Sequence, residues 1–88
     1  MKIRKHIVFY GHVQGVGFRF RAVNAARPLG LTGWVRNQWD GSVEMEVQGE
    51  EAAIDLLIER LHTGSFIRID RMEAEEIAVQ GESGFYAR

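Results

Sequence analysis

From Val43 to Gln48 the chain alternates: Val43, Met45 and Val47 are apolar, while Glu44, Glu46 and Gln48 are polar. Successive side chains of a strand point to opposite faces, so a period of two marks a strand with one apolar and one polar face. This segment requires a sheet that is covered on one side. Two other stretches have the helical spacing that suits such a cover. Phe18, Ala22, Ala25, Ala26 and Leu29 form one stripe, and Ile54, Leu57, Ile58 and Leu61 form another.

Between these patterns lie the stop and turn signals. Ile3 to Tyr10, rich in β-branched and aromatic residues, reads as a strand. Pro28 disfavours helical geometry at Arg27, and Gly30 follows as a stop, so the first helix ends there. Leu31 to Val35 resumes a strand, and Asp40-Gly41 is a hairpin signal before the alternating run. Gly49, Glu50 and Glu51 open the second helix with acids where the helix dipole favours them, and Thr63-Gly64-Ser65 closes it. Phe66 to Val79 is extended. Its apolar phase shifts from Ile67/Ile69 to Met72/Ala74 and again to Ile77/Val79, which predicts a bulge or local twist. Gly81 to Gly84 turns the chain into a short last strand, Phe85-Tyr86-Ala87. The order strand, helix, strand, strand, helix, strand predicts an α+β fold. It is the ferredoxin-like βαββαβ sandwich, a mostly antiparallel sheet with two helices on one face. No linker or repeat divides it, and residues 1–88 read as one domain.

Several chemistries are excluded at once. There is no cysteine, hence no disulfide, thiolate nucleophile or cysteine zinc site. The three histidines (His6, His12, His62) are spread without ligand spacing, so no metal and no cofactor is expected. Nothing resembles a signal peptide or a membrane span, and the expected setting is cytoplasmic. The formal charge of −1 argues against nonspecific nucleic-acid binding. It hides an uneven distribution, however. Up to residue 39 there are seven basic residues and no acid, and from Asp40 onward four basic and twelve acidic ones.

The strongest functional signal is Gly11 to Arg19, Gly-His-Val-Gln-Gly-Val-Gly-Phe-Arg, between the first strand and the first helix. Glycines let backbone amides turn inward and approach a ligand closely. A helix start adds unpaired N–H donors and roughly +0.5 of a charge, which suits a phosphate or another oxyanion. Arg19 and Arg21 stand in the first helical turn, where an acid is normally preferred. A bound anion would turn that cost into a gain. The loop is not a Walker A sequence, since no Gly-Lys-Ser/Thr follows, and its spacing is not that of a dinucleotide site.

A second cluster makes the pattern specific. Gly-x-Val-Gln-Gly-Val-Gly-Phe-Arg at 11–19, Leu-Gly-Leu-x-Gly-Trp-Val-Arg-Asn at 29–37 and Asp-Gly at 40–41 together resemble the acylphosphatase family. The resemblance is tightest over residues 11–41 and looser towards Arg88. Pro28 and Ser65 depart from the usual pattern, both away from the loop. The resemblance implies hydrolysis of acyl phosphates, a stand-alone enzyme and a set of site residues. Gly11, His12, Val13, Gln14, Gly15, Val16, Gly17 and Phe18 would form the phosphate cradle. Arg19 would bind the phosphate, and Asn37 would place the attacking water. Gln14 would shape the loop.

The chemistry explains why so few groups could suffice. An acyl phosphate releases a carboxylate, already stable as an anion, so no general acid is needed. The site must grip the phosphoryl oxygens and aim a water at phosphorus. Asn37 offers a donor and an acceptor but is too weak a base to ionise water. His12 is expected to be a loop residue and Asp40 a turn residue. Trp34 is expected in packing, and Trp39 at the rim within reach of the acyl group. The expected partners are a small acyl phosphate and inorganic phosphate, with no nucleic acid or membrane, for a monomer. Two other readings stay open: an anion-binding module without turnover, and an RNA-binding domain. The second is disfavoured because Glu44 and Glu46 lie on the strand where RNA would stack.

Overall fold

The computed structural model describes residues 1–88. Its elements are β1 (Lys2–His12), α1 (Phe18–Ala26), β2 (Thr32–Asn37), β3 (Val43–Glu50), α2 (Glu51–His62), β4 (Arg68–Ile77) and β5 (Phe85–Ala87), with a 3-10 turn at Arg27–Leu29. The sheet order is β4-β1-β3-β2-β5. The first four strands pair antiparallel, and β5 adds parallel to β2. This is the predicted ferredoxin-like arrangement, widened by the short last strand. The radius of gyration is 11.8 Å, against about 12 Å expected of one folded unit this long.

The core lies between the sheet and the two helices. Ile7, Phe9, Val35, Val43, Met45 and Val47 from the sheet meet Phe18, Ala22, Ala26, Ile54, Leu57 and Leu61 from the helices. Both predicted helical stripes face inward, although Leu29 and Ile58 are only partly covered. No helix is long and apolar enough to cross a membrane.

The other face of the sheet is not simply open. Gln48, expected on the polar side, is buried. The chain between β4 and β5 crosses this face from one edge to the other, at the end where β1 begins. Gln48 Nε2 donates to the Gln80 carbonyl at 2.8 Å, and Gln48 Oε1 accepts from the Gln80 amide at 2.8 Å. The Gly33 amide donates to the Gly84 carbonyl at 3.0 Å. Arg4, only 1% exposed, lies beneath this crossing. It donates to Glu46 at 2.8 Å, to Gln48 at 3.3 Å and to Glu82. Burial alone would make this guanidinium easier to deprotonate, but the bonds to Glu82 and Glu46 and their charges reverse that.

Part of the uneven charge of the sequence is paired within this sheet. Basic β1 and β2 flank acidic β3. Arg4 pairs with Glu46, while Arg36 bonds Glu44 at 2.7 Å and His6 Nε2 lies 2.7 Å from the same carboxylate. Two of the seven basic residues before Asp40, Arg4 and Arg36, thus serve cross-strand pairing with β3. The same carboxylates occupy the face on which RNA bases would have to stack.

The predicted bulge is at Asp70. The register steps from Tyr10 opposite Arg71 to Gly11 opposite Ile69, leaving Asp70 unpaired. This explains the phase change between Ile69 and Met72. The second apolar shift is not a bulge, because pairing runs unbroken from Met72 to Ile77. Val79 simply belongs to the crossing segment.

Candidate active site

The loop between β1 and α1 is anchored by buried Val13 at one end and buried Phe18 at the other. The Phe18 ring packs on Phe9 with centroids 4.9 Å apart. Between them Gly15 (φ 72°) and Gly17 (φ 77°) adopt the left-handed conformation. A side chain at either would meet no neighbour, so the demand for glycine is conformational. Gln14 Nε2 donates to the carbonyls of Gln38 (2.7 Å) and Ser42 (2.8 Å), tying the loop to the β2–β3 hairpin.

Gly17 caps α1 without a side-chain bond. The first backbone bond of this helix runs from the Arg21 amide to the Gly17 carbonyl, 2.9 Å. The amides of Phe18, Arg19 and Phe20 have no intrahelical acceptor, which leaves donors at the positive end of the dipole. Half-buried Arg19 donates from Nη1 to the Arg88 carbonyl at 2.9 Å. Arg88 is itself held by its amide on the Val35 carbonyl at 2.8 Å. Asn37, exposed, is the last residue of β2. One cavity of about 450 Å³ is lined by Val13, Gly15, Gly17, Phe18, Arg19 and Asn37. Phe20, Val23 and Ala87 complete its wall. Residues that carry free amides, a guanidinium and a carboxamide thus line one space, an arrangement that can hold an oxyanion with a water beside it.

A family model described as Acylphosphatase matches residues 5–87. The chain belongs to the acylphosphatase family. An acylphosphatase of Bifidobacterium longum (strain NCC 2705) is 58% identical over 62 residues, 70% of this chain and 64% of that protein. One from Anaeromyxobacter dehalogenans (strain 2CP-C) is 44% identical over 86 residues, 97% of this chain and 92% of the relative. The crystal structure of acylphosphatase from Bacillus subtilis superposes with a TM-score of 0.92 at 32% identity, covering 98% of each chain.

Not every residue expected in this acylphosphatase-family cradle reaches the cavity. Gly11 and His12 continue β1 instead of entering the loop, and His12 pairs opposite Arg68. Gly11 (φ 137°) lies against the bulge, where a Cβ would overlap the Arg68 carbonyl and lie 2.8 Å from the Asp70 nitrogen. Its glycine serves strand packing. Gln14 is occupied as the clamp, and Val16 faces a neighbouring cleft. Arg21 also leaves the site. Its Nε donates to the Arg60 carbonyl at 2.8 Å and its Nη2 to Thr63 Oγ1 at 3.4 Å. A cation misplaced at the start of α1 is well placed at the end of α2.

The hairpin residues divide similarly. Asp40 Oδ1 accepts from the Ser42 hydroxyl at 2.6 Å and from its amide at 3.0 Å, bonds that hold its carboxyl below the usual aspartate range. It is a turn residue, outside the cavity. Trp34 is buried on the outer sheet face between the guanidinium groups of Arg36 and Arg88, 5.1 and 4.8 Å from its ring centroid. Trp39 is 99% exposed and stands with Arg36 and Gln38 beyond Asn37, not at the cavity rim. Sequence reasoning did not find Phe20, Val23, Ala87 or the Arg88 carbonyl. Ala87 and Arg88 reach the site only because β5 pairs with β2, a long-range event with no local signature.

Proposed function

We propose that this chain hydrolyses the carboxyl–phosphate anhydride bond of small acyl phosphates to a carboxylate and inorganic phosphate. The observation that carries the reading is the single cavity shared by Gly15, Gly17, Arg19 and Asn37. The free amides at the start of α1 and the Arg19 fork take the phosphoryl oxygens. They oppose charge that grows there in the transition state. Asn37 holds a water in line with phosphorus, its carboxamide oxygen accepting a hydrogen bond from the water and its NH2 group donating one to the water oxygen. The water oxygen bonds to phosphorus as the bond from phosphorus to the acyl oxygen breaks. The carboxylate leaves with the electron pair, and the water's proton passes to a phosphoryl oxygen.

Because the leaving group is stable without protonation, neither a general acid nor a Lewis acid is required. The reading includes a cytoplasmic monomer, acting on a small molecule rather than a nucleic acid or a membrane. The test is hydrolysis of benzoyl phosphate by purified protein in EDTA, with an aryl phosphate ester alongside. Loss of the anhydride with the ester untouched, inhibited by inorganic phosphate, is expected. Phosphate protection of the fold without turnover would leave an anion-binding module instead.

A further inference from the structure

The strand that reaches the cavity from the C-terminal side is held on one side only. β5 is a three-residue edge strand, and its single neighbour in the sheet is β2. Yet Ala87 lines the anion cavity, and the Arg88 carbonyl accepts from Arg19 Nη1 at 2.9 Å. Where β5 lies therefore decides where the Arg19 guanidinium is held.

A second arginine grips the same strand. Arg27, the C-cap of α1, donates from Nε to the Phe85 carbonyl at 3.1 Å, and its guanidinium carbon lies 5.6 Å from the centroid of the Tyr86 ring. A cation at a helix end ordinarily serves the last carbonyls of its own helix. This one is committed to a strand 58 residues further on. Successive carbonyls of a strand point to opposite edges. The Gly84 carbonyl takes the Gly33 amide of β2, so that of Phe85 faces the open edge, and Arg27 fills it. α1 and β5 thus run antiparallel and are joined at both ends, Arg27 to the start of the strand and Arg19 to the residue after it. Val23, between the two arginines, forms the cavity wall with Ala87.

We propose that Arg27 is a positioning residue for phosphate binding: by fixing β5 along α1 it keeps the Arg88 carbonyl in place, so that Arg19 is held before the anion arrives. The proposal rests on the hydrolytic reading above. An arginine already held loses less freedom on gripping an anion than one that swings freely. Arg27 does not line the anion cavity. Eight residues of helix separate it from Arg19 by about 12 Å. That exceeds the Debye length of about 8 Å at physiological ionic strength, so the direct pull of its charge on the anion is largely screened.

The test titrates inorganic phosphate calorimetrically into wild type, Arg27→Ala and Arg27→Lys at about 0.15 M salt. The kcat and KM for benzoyl phosphate are measured alongside. Arg27→Ala is expected to weaken phosphate binding and raise KM by a common factor of about threefold to tenfold. Its kcat changes little, because Asn37 belongs to β2 and keeps its pairing with Val43. Arg27→Lys, which can still donate to a carbonyl, restores most of the affinity. Arg27 is exposed, so both variants fold, and circular dichroism checks this. A merely structural role lowers the Tm of Arg27→Ala and leaves the phosphate affinity of the folded protein as in wild type. That result, with wild type turning over, overturns the positioning role alone. Wild type that neither binds phosphate nor hydrolyses benzoyl phosphate overturns the hydrolytic reading, and this proposal with it.

Discussion

Replacing Arg19 with alanine separates binding from stability, because the guanidinium acts on the two with opposite signs. In the free protein Arg19 is the second residue of α1, a cation at the positive end of a helix. That placement costs roughly 0.3–1 kcal/mol. Its hydrogen bond to the Arg88 carbonyl offsets this by about 0.5–1.5 kcal/mol. Alanine removes both, so the unfolding free energy should change by less than about 1 kcal/mol. With phosphate bound the balance differs. Nη1 is tied to Arg88, which leaves the Nε and Nη2 edge for one or two charge-assisted bonds. Losing them costs about 2–4 kcal/mol, roughly 30-fold to 1,000-fold in phosphate affinity. The assay is a thermal melt with and without phosphate, beside the phosphate inhibition constant. Wild type should gain Tm with phosphate by mass action and Arg19→Ala should not, at a nearly equal Tm in its absence. An equal phosphate-induced rise in both proteins would refute the reasoning.

Asn37→Ala should leave phosphate inhibition nearly intact while lowering kcat by about 100-fold or more, as expected of a group acting on the attacking water; normal turnover would end that role. Gly11→Ala should destabilise by about 2–4 kcal/mol in urea, from the clash with the Arg68 carbonyl at the bulge. The folded fraction should bind phosphate normally, and selective loss of phosphate binding would put Gly11 back in the cradle. Glu44 predicts an acid response. Burial alone would raise its carboxyl, but the bonds from His6 and Arg36 outweigh that and hold it below the ordinary 4.5. A depressed folded value gives stability that is present above the unfolded value and lost as pH falls through the folded one. Urea midpoints should therefore fall as pH drops below about 4.5, less steeply in Glu44→Gln, which is also weaker at neutral pH. Identical slopes in the two proteins would show that another group governs the loss.

The topology was readable because local patterns and global packing agree in this chain. The alternation at Val43 to Val47, both helical stripes and even the bulge beside Ile69 are written in side-chain phase. The β1–α1 loop was readable as a turn for a similar reason: left-handed backbone at Gly15 and Gly17 calls for that residue type. The failures share one physical cause. Arg21 and Gln48 take their roles from segments far away in sequence, the end of α2 and the crossing chain at Gln80. Gly11 looked like part of the loop because a glycine needed for close strand approach is written the same way as one needed for a turn. The excess of base before Asp40 looked like a field for a ligand, yet strand order sets Arg4 and Arg36 beside the acids of β3, and Arg21 and Arg27 are taken up by carbonyls. Only Arg19 remained for the cavity.

The pairing of β5 with β2 has a consequence in time as well as in space. The cavity needs the β1–α1 loop, the end of β2 and the end of β5, so Ala87 and the Arg88 carbonyl must travel across the whole chain to meet Arg19. Contacts of such long sequence separation are closed late, after their loop entropy has been met by other structure. Helix content should return first during refolding. On the proposed function, phosphate binding should return only with the last strand, so that its recovery would time the final step of folding.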